Sequence, residues 1–145
     1  MARTQKKRKR KHKQRGHWCW CCGDVLPNEK FSGKGHARHL CKQCAKLGTE
    51  ELAYRQAICD LERCFTCEGI IPRKRRKSFE RFLQHDDERI RIEAEKMQCV
   101  DRYERQQMRW EADGRCEEAE DAAIRWVNLE VTLSNGETWR PSEYL

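Results

Sequence analysis

Apolar residues recur at helical spacing along the chain from residue 49 to residue 112. In residues 49 to 63 they lie three and four positions apart, which predicts an amphipathic helix capped by Thr49. Its stripe consists of Tyr54, Ala57, Ile58 and Leu61. Residues 70 to 84 repeat the pattern, and Pro72 marks the start of that predicted helix.

The longest periodic segment, residues 88 to 112, is apolar on two faces. One face carries Ile90, Ala94, Met97 and Met108. The nearly opposite face carries Ile92, Cys99, Tyr103 and Trp110. A helix with two apolar faces is packed on both sides, so we expect the preceding helices on one side and a C-terminal element or a partner protein on the other.

The apolar period changes near the C-terminus. Residues 116 to 126 predict an acidic helix, after which apolar residues alternate with polar ones. These alternating positions are Val127, Leu129, Val131 and Leu133. Asn135-Gly136 is a strong turn signal, and the apolar residue Trp139 follows it on a second predicted strand. The sequence therefore predicts a β-hairpin.

Cysteines, rather than apolar periodicity, dominate the segment before residue 49. Cys19 and Cys22 form one C-x2-C pair, and Cys41 and Cys44 form a second pair after eighteen intervening residues. Two such pairs present four thiolates, which is the ligand pattern of a structural zinc site. The segment is too short to bury a sufficient core, so Zn²⁺ is expected to contribute on the order of 10 kcal/mol to its folding.

The order of residues in this segment resembles a treble-clef zinc finger. It is most similar to small bacterial proteins with a CxxCG...F.GKGH..H.C..C signature, and more distantly to the zinc frame of His-Me finger endonucleases. The matching residues are Cys19, Cys22, Gly23, Phe31, Gly33, Lys34, Gly35, His36, His39, Cys41 and Cys44. The resemblance implies a helix opening at the second cysteine pair.

The predicted fold class is therefore α+β and mostly helical. It comprises a treble-clef zinc module, a helical hairpin with one long helix, and a small C-terminal β-hairpin. Four segments are expected: a disordered basic arm (1–16), the zinc module (17–48), a helical domain (49–113), and an acidic helix with the hairpin (114–145).

Charge is distributed unevenly along the 145 residues, although the net charge is only +7. Residues 1 to 15 hold nine basic side chains and no acid, whereas residues 111 to 145 hold nine acids and three bases, a net −6. The basic end is therefore expected to contact an anionic partner, and the acidic end to face water or protein.

Two basic blocks and a cationic hairpin predict contacts with nucleic-acid phosphates. The candidate residues are Arg3, Lys6, Lys7, Arg8, Lys9, Arg10, Lys11, Lys13, Arg15, Lys34, Arg38, Arg73, Lys74, Arg75, Arg76 and Lys77. Trp18 and Trp20 interleave aromatic rings with this charge, which suits either base stacking or a local core.

The chain has ten cysteines and no apolar leader or membrane-length apolar run, which predicts a soluble, cytoplasmic protein with reduced thiols. The cysteines outside the two pairs raise the alternatives of a second metal site or of ordinary buried thiols. The set for a second site is Cys59, Cys64, Cys67 and Cys99. Cys21 is expected to be a spectator between the first two ligands.

Three functions from different classes fit these features. The first is a zinc-stabilised, non-catalytic protein that binds nucleic acid, with RNA or the ribosome favoured over sequence-specific DNA reading. The second is a protein-interaction adaptor with architectural zinc. The third is a degenerate His-Me nuclease, but His36 and His39 have no acidic residue beside them between Phe31 and Cys41, so no catalysis is predicted.

Overall fold

The computed structural model describes residues 16–143, so the predicted arm lies outside the described residues except for Gly16. The chain divides into two compact units, of which the first ends at Leu52 and the second begins at Ala53. In residues 16–143 no helix combines the length and the apolar composition that crossing a membrane requires.

The first unit is built on a short antiparallel hairpin. Strand β1 (Gly16–Trp18) pairs with strand β2 (Val25–Pro27), with His17 opposite Leu26. A 3₁₀ helix (Asn28–Lys30) follows, and an isolated bridge joins Phe31 to Cys41. This bridge brings the second cysteine pair back to the hairpin that carries the first pair.

Residues 33 to 38, for which no helix was predicted, fold into a short helix, α1 (Gly33–Arg38). Ser32 caps it by accepting a hydrogen bond from the Gly35 amide at 2.9 Å. His39 ends the helix in the left-handed conformation, with φ of 52°. Capping at both ends therefore stabilises a helix that Gly33 and Gly35 disfavour.

Gly35→Ala is expected to destabilise the first unit by about 1–3 kcal/mol, because overpacking forces the backbone to move. A Cβ at Gly35 would lie 2.6 Å from the carbonyl oxygen of Leu40. Urea unfolding followed through the NMR signals of Trp18 and Trp20 measures this change. Gly33→Ala is the matched control, since its Cβ meets nothing within 4 Å and should stabilise the helix by about 0.5–1 kcal/mol.

The predicted helices of the rest of the chain are confirmed, with small changes in their bounds. They are α2 (Thr49–Glu62), α3 (Arg76–Leu83), α4 (Glu88–Ala112) and α5 (Cys116–Val127). Helix α3 starts later than predicted, because Pro72 is extended and residues Arg73–Arg75 form a 3₁₀ turn first. Asp87 caps α4 by accepting a hydrogen bond from the Arg89 amide at 3.0 Å.

Helix α4 buries part of both predicted apolar faces within the second unit, whereas Met108, predicted on the first face, is 48% exposed. On one face, Ala94 joins a cluster with Leu61 and Phe79, which belong to α2 and α3. On the other face, Ile92 packs with Leu133 and Trp139 of the C-terminal segment. The prediction of a helix packed on two sides by neighbouring elements is thus confirmed.

The predicted C-terminal hairpin is present, although its strands are short. Strand β3 (Val131–Thr132) pairs with β4 (Thr138–Trp139), and Gly136 adopts a φ of 84° in the turn. Trp139 is buried and anchors the hairpin on α4. Leu129 remains exposed before the strand begins.

Asp101 of α4 is the buried polar residue that ties this helix to the loop before α3. Its carboxylate accepts a 2.6 Å hydrogen bond from the Ile71 amide and a pair of bonds from the Arg105 guanidinium. Arg105 also donates to the Ile71 carbonyl. Asp101 therefore satisfies a buried amide and a partly buried guanidinium at the same time.

Asp101→Ala is expected to destabilise the second unit by about 3 kcal/mol, because it leaves a buried amide and a partly buried guanidinium unpaired. Chemical unfolding followed by far-ultraviolet circular dichroism checks the value. The control is Asp121→Ala, an exposed position on α5 that should change stability by less than about 0.5 kcal/mol. Equal effects of the two substitutions would refute the role given to Asp101.

Candidate metal centre

The four paired cysteines come together in the first unit. The ligand atoms of Cys19, Cys22, Cys41 and Cys44 all lie within 4.8 Å of one another. This is the one group of three or more histidine, cysteine or acidic side chains in residues 16–143 whose atoms are close enough to hold a metal ion. The structure thus places together the four ligands that the sequence spacing predicted.

Local backbone geometry presents the first pair. The Cys19 amide donates to the Asp24 carbonyl at 2.9 Å, and the Gly23 amide donates to the Cys19 carbonyl at 2.8 Å. Gly23 has a φ of 75°, a conformation that other residues rarely adopt. The tight turn directs both sulfurs of the pair toward the same point.

The second pair lies in a turn rather than in the first turn of a long helix. Cys41 is held by the bridge to Phe31, and Cys44 begins a 3₁₀ helix (Cys44–Lys46). The resemblance implied a helix opening directly at this pair, but α2 begins only at Thr49. Gly48 separates these two segments.

Backbone amides support the sulfurs from outside. The Cys41 amide donates to the Cys19 sulfur at 3.3 Å, and the Cys44 amide donates to the Cys41 sulfur at 3.4 Å. Such bonds favour the charged thiolate over the thiol. They correspond to the outer shell that orients the ligands of a metal site.

Electrostatics inside the cluster require a cation if all four thiols are to ionise. Burial raises the pKa of Cys19, but amide hydrogen bonds from Cys41, Cys22 and Cys21 outweigh it and lower the pKa to about 7. Burial and the neighbouring sulfurs raise the pKa of Cys44. The thiolate is therefore favoured at Cys19 over Cys44, and a bound cation would stabilise the charged form of both.

The cysteines are also a large part of the core of this unit. Cys19, Cys41 and Cys44 are buried with Phe31 and Leu40, whereas Cys22 is exposed. A core of two large apolar side chains and three thiols is small for an independent fold. The donor set of four sulfurs, three of them buried, suits a structural metal ion.

Cys21 packs against this core without belonging to the group of four. It is half-buried, as expected of a residue between two ligands of a tight turn. Its position beside the ligands makes it a close control for substitutions of the cluster.

A second cluster, of three histidines, lies next to the metal centre and was not predicted. The rings of His17 and His39 stack with centroids 4.7 Å apart, and His36 meets His17 edge-on at 5.0 Å. Phe31 contacts His17 and His36. The His17 Nε2 atom also lies 3.2 Å from the carbonyl oxygen of His36, so ring packing and this polar contact hold the three side chains together.

The cysteines proposed for a second site do not form a comparable group in residues 16–143. Cys64 is buried and its thiol donates to the Asp60 carbonyl at 3.5 Å. Burial raises the pKa of Cys64 and of Cys99, which favours the neutral thiol over the thiolate that binds metals. Cys67 is exposed and Cys59 is half-buried.

The predicted basic residues take two different roles. Lys34 and Arg38 are exposed on α1, one turn apart. In the second block, Arg73, Lys74, Arg76 and Lys77 are exposed, but Arg75 is half-buried. Its guanidinium donates to the carbonyls of Arg63 and Phe65, so it holds the fold together. Residues 3 to 15 of the set lie outside the described residues.

Comparisons with known proteins add no family to this description. A scan against protein-family models, a search of curated proteins and a search of solved structures each found no match. The functional argument therefore rests on the cysteine cluster and on the placement of charge.

Proposed function

We propose that the chain is a zinc-stabilised, non-catalytic nucleic-acid-binding protein of the cytoplasm, associated with RNA or the ribosome. The observation that carries the proposal is the exposure of four cations in one short run, Arg73, Lys74, Arg76 and Lys77. The zinc module joined to a basic arm supports it further.

Zn²⁺ is the metal that suits the cluster, because tetrahedral coordination by four thiolates is typical of structural zinc. Cys19, Cys22, Cys41 and Cys44 would hold it, and the ion would supply fixed coordination rather than an open catalytic position. The amides of Cys41 and Cys44 orient the ligands. Metal binding would thereby fold the module that connects the arm to the rest of the chain.

The exposed cations of the second block differ from four other exposed arginines of the second unit. Arg63, Arg89, Arg115 and Arg140 each lie within 3.0 Å of a carboxylate oxygen. In the described part of the chain no carboxylate pairs with the block. A run of cations without acids presents a surface that a phosphate backbone neutralises.

The first unit offers a second contact surface of similar chemistry. Lys34 and Arg38 lie on one face of α1, and Trp18 is 47% exposed on β1. Exposed aromatic rings near cations suit unpaired bases, which stack on side chains. This combination favours RNA with single-stranded segments over duplex DNA.

Replacing the four exposed cations of the block by glutamine is expected to weaken RNA binding and to make the affinity less dependent on salt concentration. Each phosphate contact contributes about 0.7 to the slope of log K against log salt for a single strand, so the slope should fall by up to about 3. Fluorescence anisotropy with a labelled single-stranded RNA over a range of salt concentrations measures it.

The matched control removes the same charge elsewhere. The four acid-paired arginines, Arg63, Arg89, Arg115 and Arg140, are replaced by glutamine in one chain. The slope of log K against log salt for this variant should stay close to that of the parent, because acids already neutralise the four replaced arginines in the parent. A slope that falls equally in both variants would mean that net charge, and not the block, governs binding.

A protein-interaction adaptor is the second candidate, and exposed apolar side chains favour it. Ile124 is 63% exposed on α5, and Val127 and Leu129 follow it on the same stretch. Exposed apolar groups of this size occur at protein interfaces. This candidate is tested by affinity capture with a chain substituted at Ile124 and Val127. The substitutions should reduce the capture of a protein partner, and RNA binding by the same variant should not change.

A further inference from the structure

A cavity of about 480 Å³ lies in the second unit and takes no part in the function proposed above. Its walls are apolar and aromatic, with contributions from the loop after α2, from α4 and from α5. The apolar lining includes Phe65, Met97, Val100, Trp126 and Pro141. A volume of this size accommodates a small organic molecule.

The only charged side chains that line the cavity, among the described residues, are two carboxylates. Glu68 lies on the loop, and Glu104 lies on α4. Glu68 is held in its charged form, because side-chain hydrogen bonds from Thr66 and Cys67 lower its pKa. The cavity therefore combines apolar walls with negative charge, and none of the described residues that line it is a cation.

Glu104 is the more unusual of the two acids. Its side chain is half-buried, and within residues 16–143 no hydrogen-bond donor or cation pairs with it. Burial raises its pKa, and the charge of Glu111 raises it further. A partly buried carboxylate without a partner is costly to keep ionised, and a cation beside it would remove that cost.

We propose that this cavity binds a small organic cation, an ammonium or guanidinium group on an apolar stem. The stem fills the space between Phe65, Met97 and Trp126, and the cationic group lies beside Glu104. Aromatic rings and a carboxylate together attract such a group, because cation–π attraction adds to the ion pair. Neutral and anionic molecules of the same shape lack both the ion pair and the cation–π attraction.

The test is a titration of the full chain with phenethylamine, compared with its uncharged analogue 2-phenylethanol. Methionine methyl signals report the result, since Met97 lines the cavity and Met108 lies outside it. Phenethylamine should shift the Met97 signal saturably and leave the Met108 signal in place. The alcohol should bind at least about tenfold more weakly, which corresponds to 1.4 kcal/mol.

Glu104→Gln keeps the shape of the side chain and removes the charge. It should weaken phenethylamine binding by about tenfold and leave alcohol binding unchanged. Glu117→Gln, an exposed position on α5 that does not line the cavity, is the control for net charge. Equal affinity for amine and alcohol, no response of Met97, or no effect of Glu104→Gln would overturn the proposal.

Discussion

Cys44→Ser is expected to abolish stable folding of the first unit and leave the helices of the second unit formed. Cys44 is a buried member of the cysteine cluster and of the core of its unit. The substitution removes one of four thiolates and so most of the metal-binding free energy, which is on the order of 10 kcal/mol for structural zinc. The core of Phe31 and Leu40 is too small to compensate.

Two measurements on the same samples check this expectation. Elemental analysis of the purified protein should give one zinc per chain for the parent and much less for Cys44→Ser. Nuclear magnetic resonance should show collapsed dispersion for Trp18 and Trp20, with the signals of Trp126 and Trp139 retained. Adding a chelator to the parent should reproduce the spectrum of the variant.

Cys21→Ser is the control, because Cys21 touches the cluster but is not one of its four sulfurs. This variant should retain zinc and dispersed Trp18 and Trp20 signals. If Cys21→Ser lost the metal and Cys44→Ser retained it, the assignment of ligands would be wrong.

Deletion of residues 2–15 is expected to reduce RNA affinity by about a thousandfold at low salt, because these residues carry nine cations. The slope of log K against log salt should fall by up to about 6, at about 0.7 for each lost phosphate contact on a single strand. Anisotropy titrations at several salt concentrations provide both quantities. The zinc content should not change.

A chain whose nine arm cations are replaced by glutamine separates charge from length. It should bind as weakly as the deletion, since the proposed contacts are made by charge. Parent-like affinity in both variants would show that the arm makes no contribution, and the exposed cations of the two described units would then account for the binding.

The helical part of the fold was predictable because its signals are local. The apolar stripe of residues 49 to 63 and the two faces of residues 88 to 112 each indicate what a helix must bury, and α2 and α4 follow with nearly the same bounds. Helix α1 was not predicted, because Gly33 and Gly35 suggest a turn. Its stability depends on the Ser32 cap and on a close approach to Leu40 that spacing does not reveal.

The metal centre was predictable for a similar reason. Two ligand pairs, each with two residues between its cysteines, can share one metal ion whatever the path that joins the pairs. Spacing alone therefore identifies Cys19, Cys22, Cys41 and Cys44. The stacking of His17 on His39 depends on the fold of the 21 residues between them. The internal role of Arg75 likewise depends on carbonyl groups ten and twelve residues earlier, which the basic run conceals.

The most direct test of the proposed function is ultraviolet crosslinking of the tagged chain in its own cells, followed by sequencing of the attached RNA. The deletion of residues 2–15 and the glutamine variant of the Arg73, Lys74, Arg76 and Lys77 block are examined in parallel. Enrichment of a defined ribosomal or other RNA site, reduced in both variants, is the predicted result. Crosslinked RNA no higher than background in the parent chain would contradict the nucleic-acid proposal.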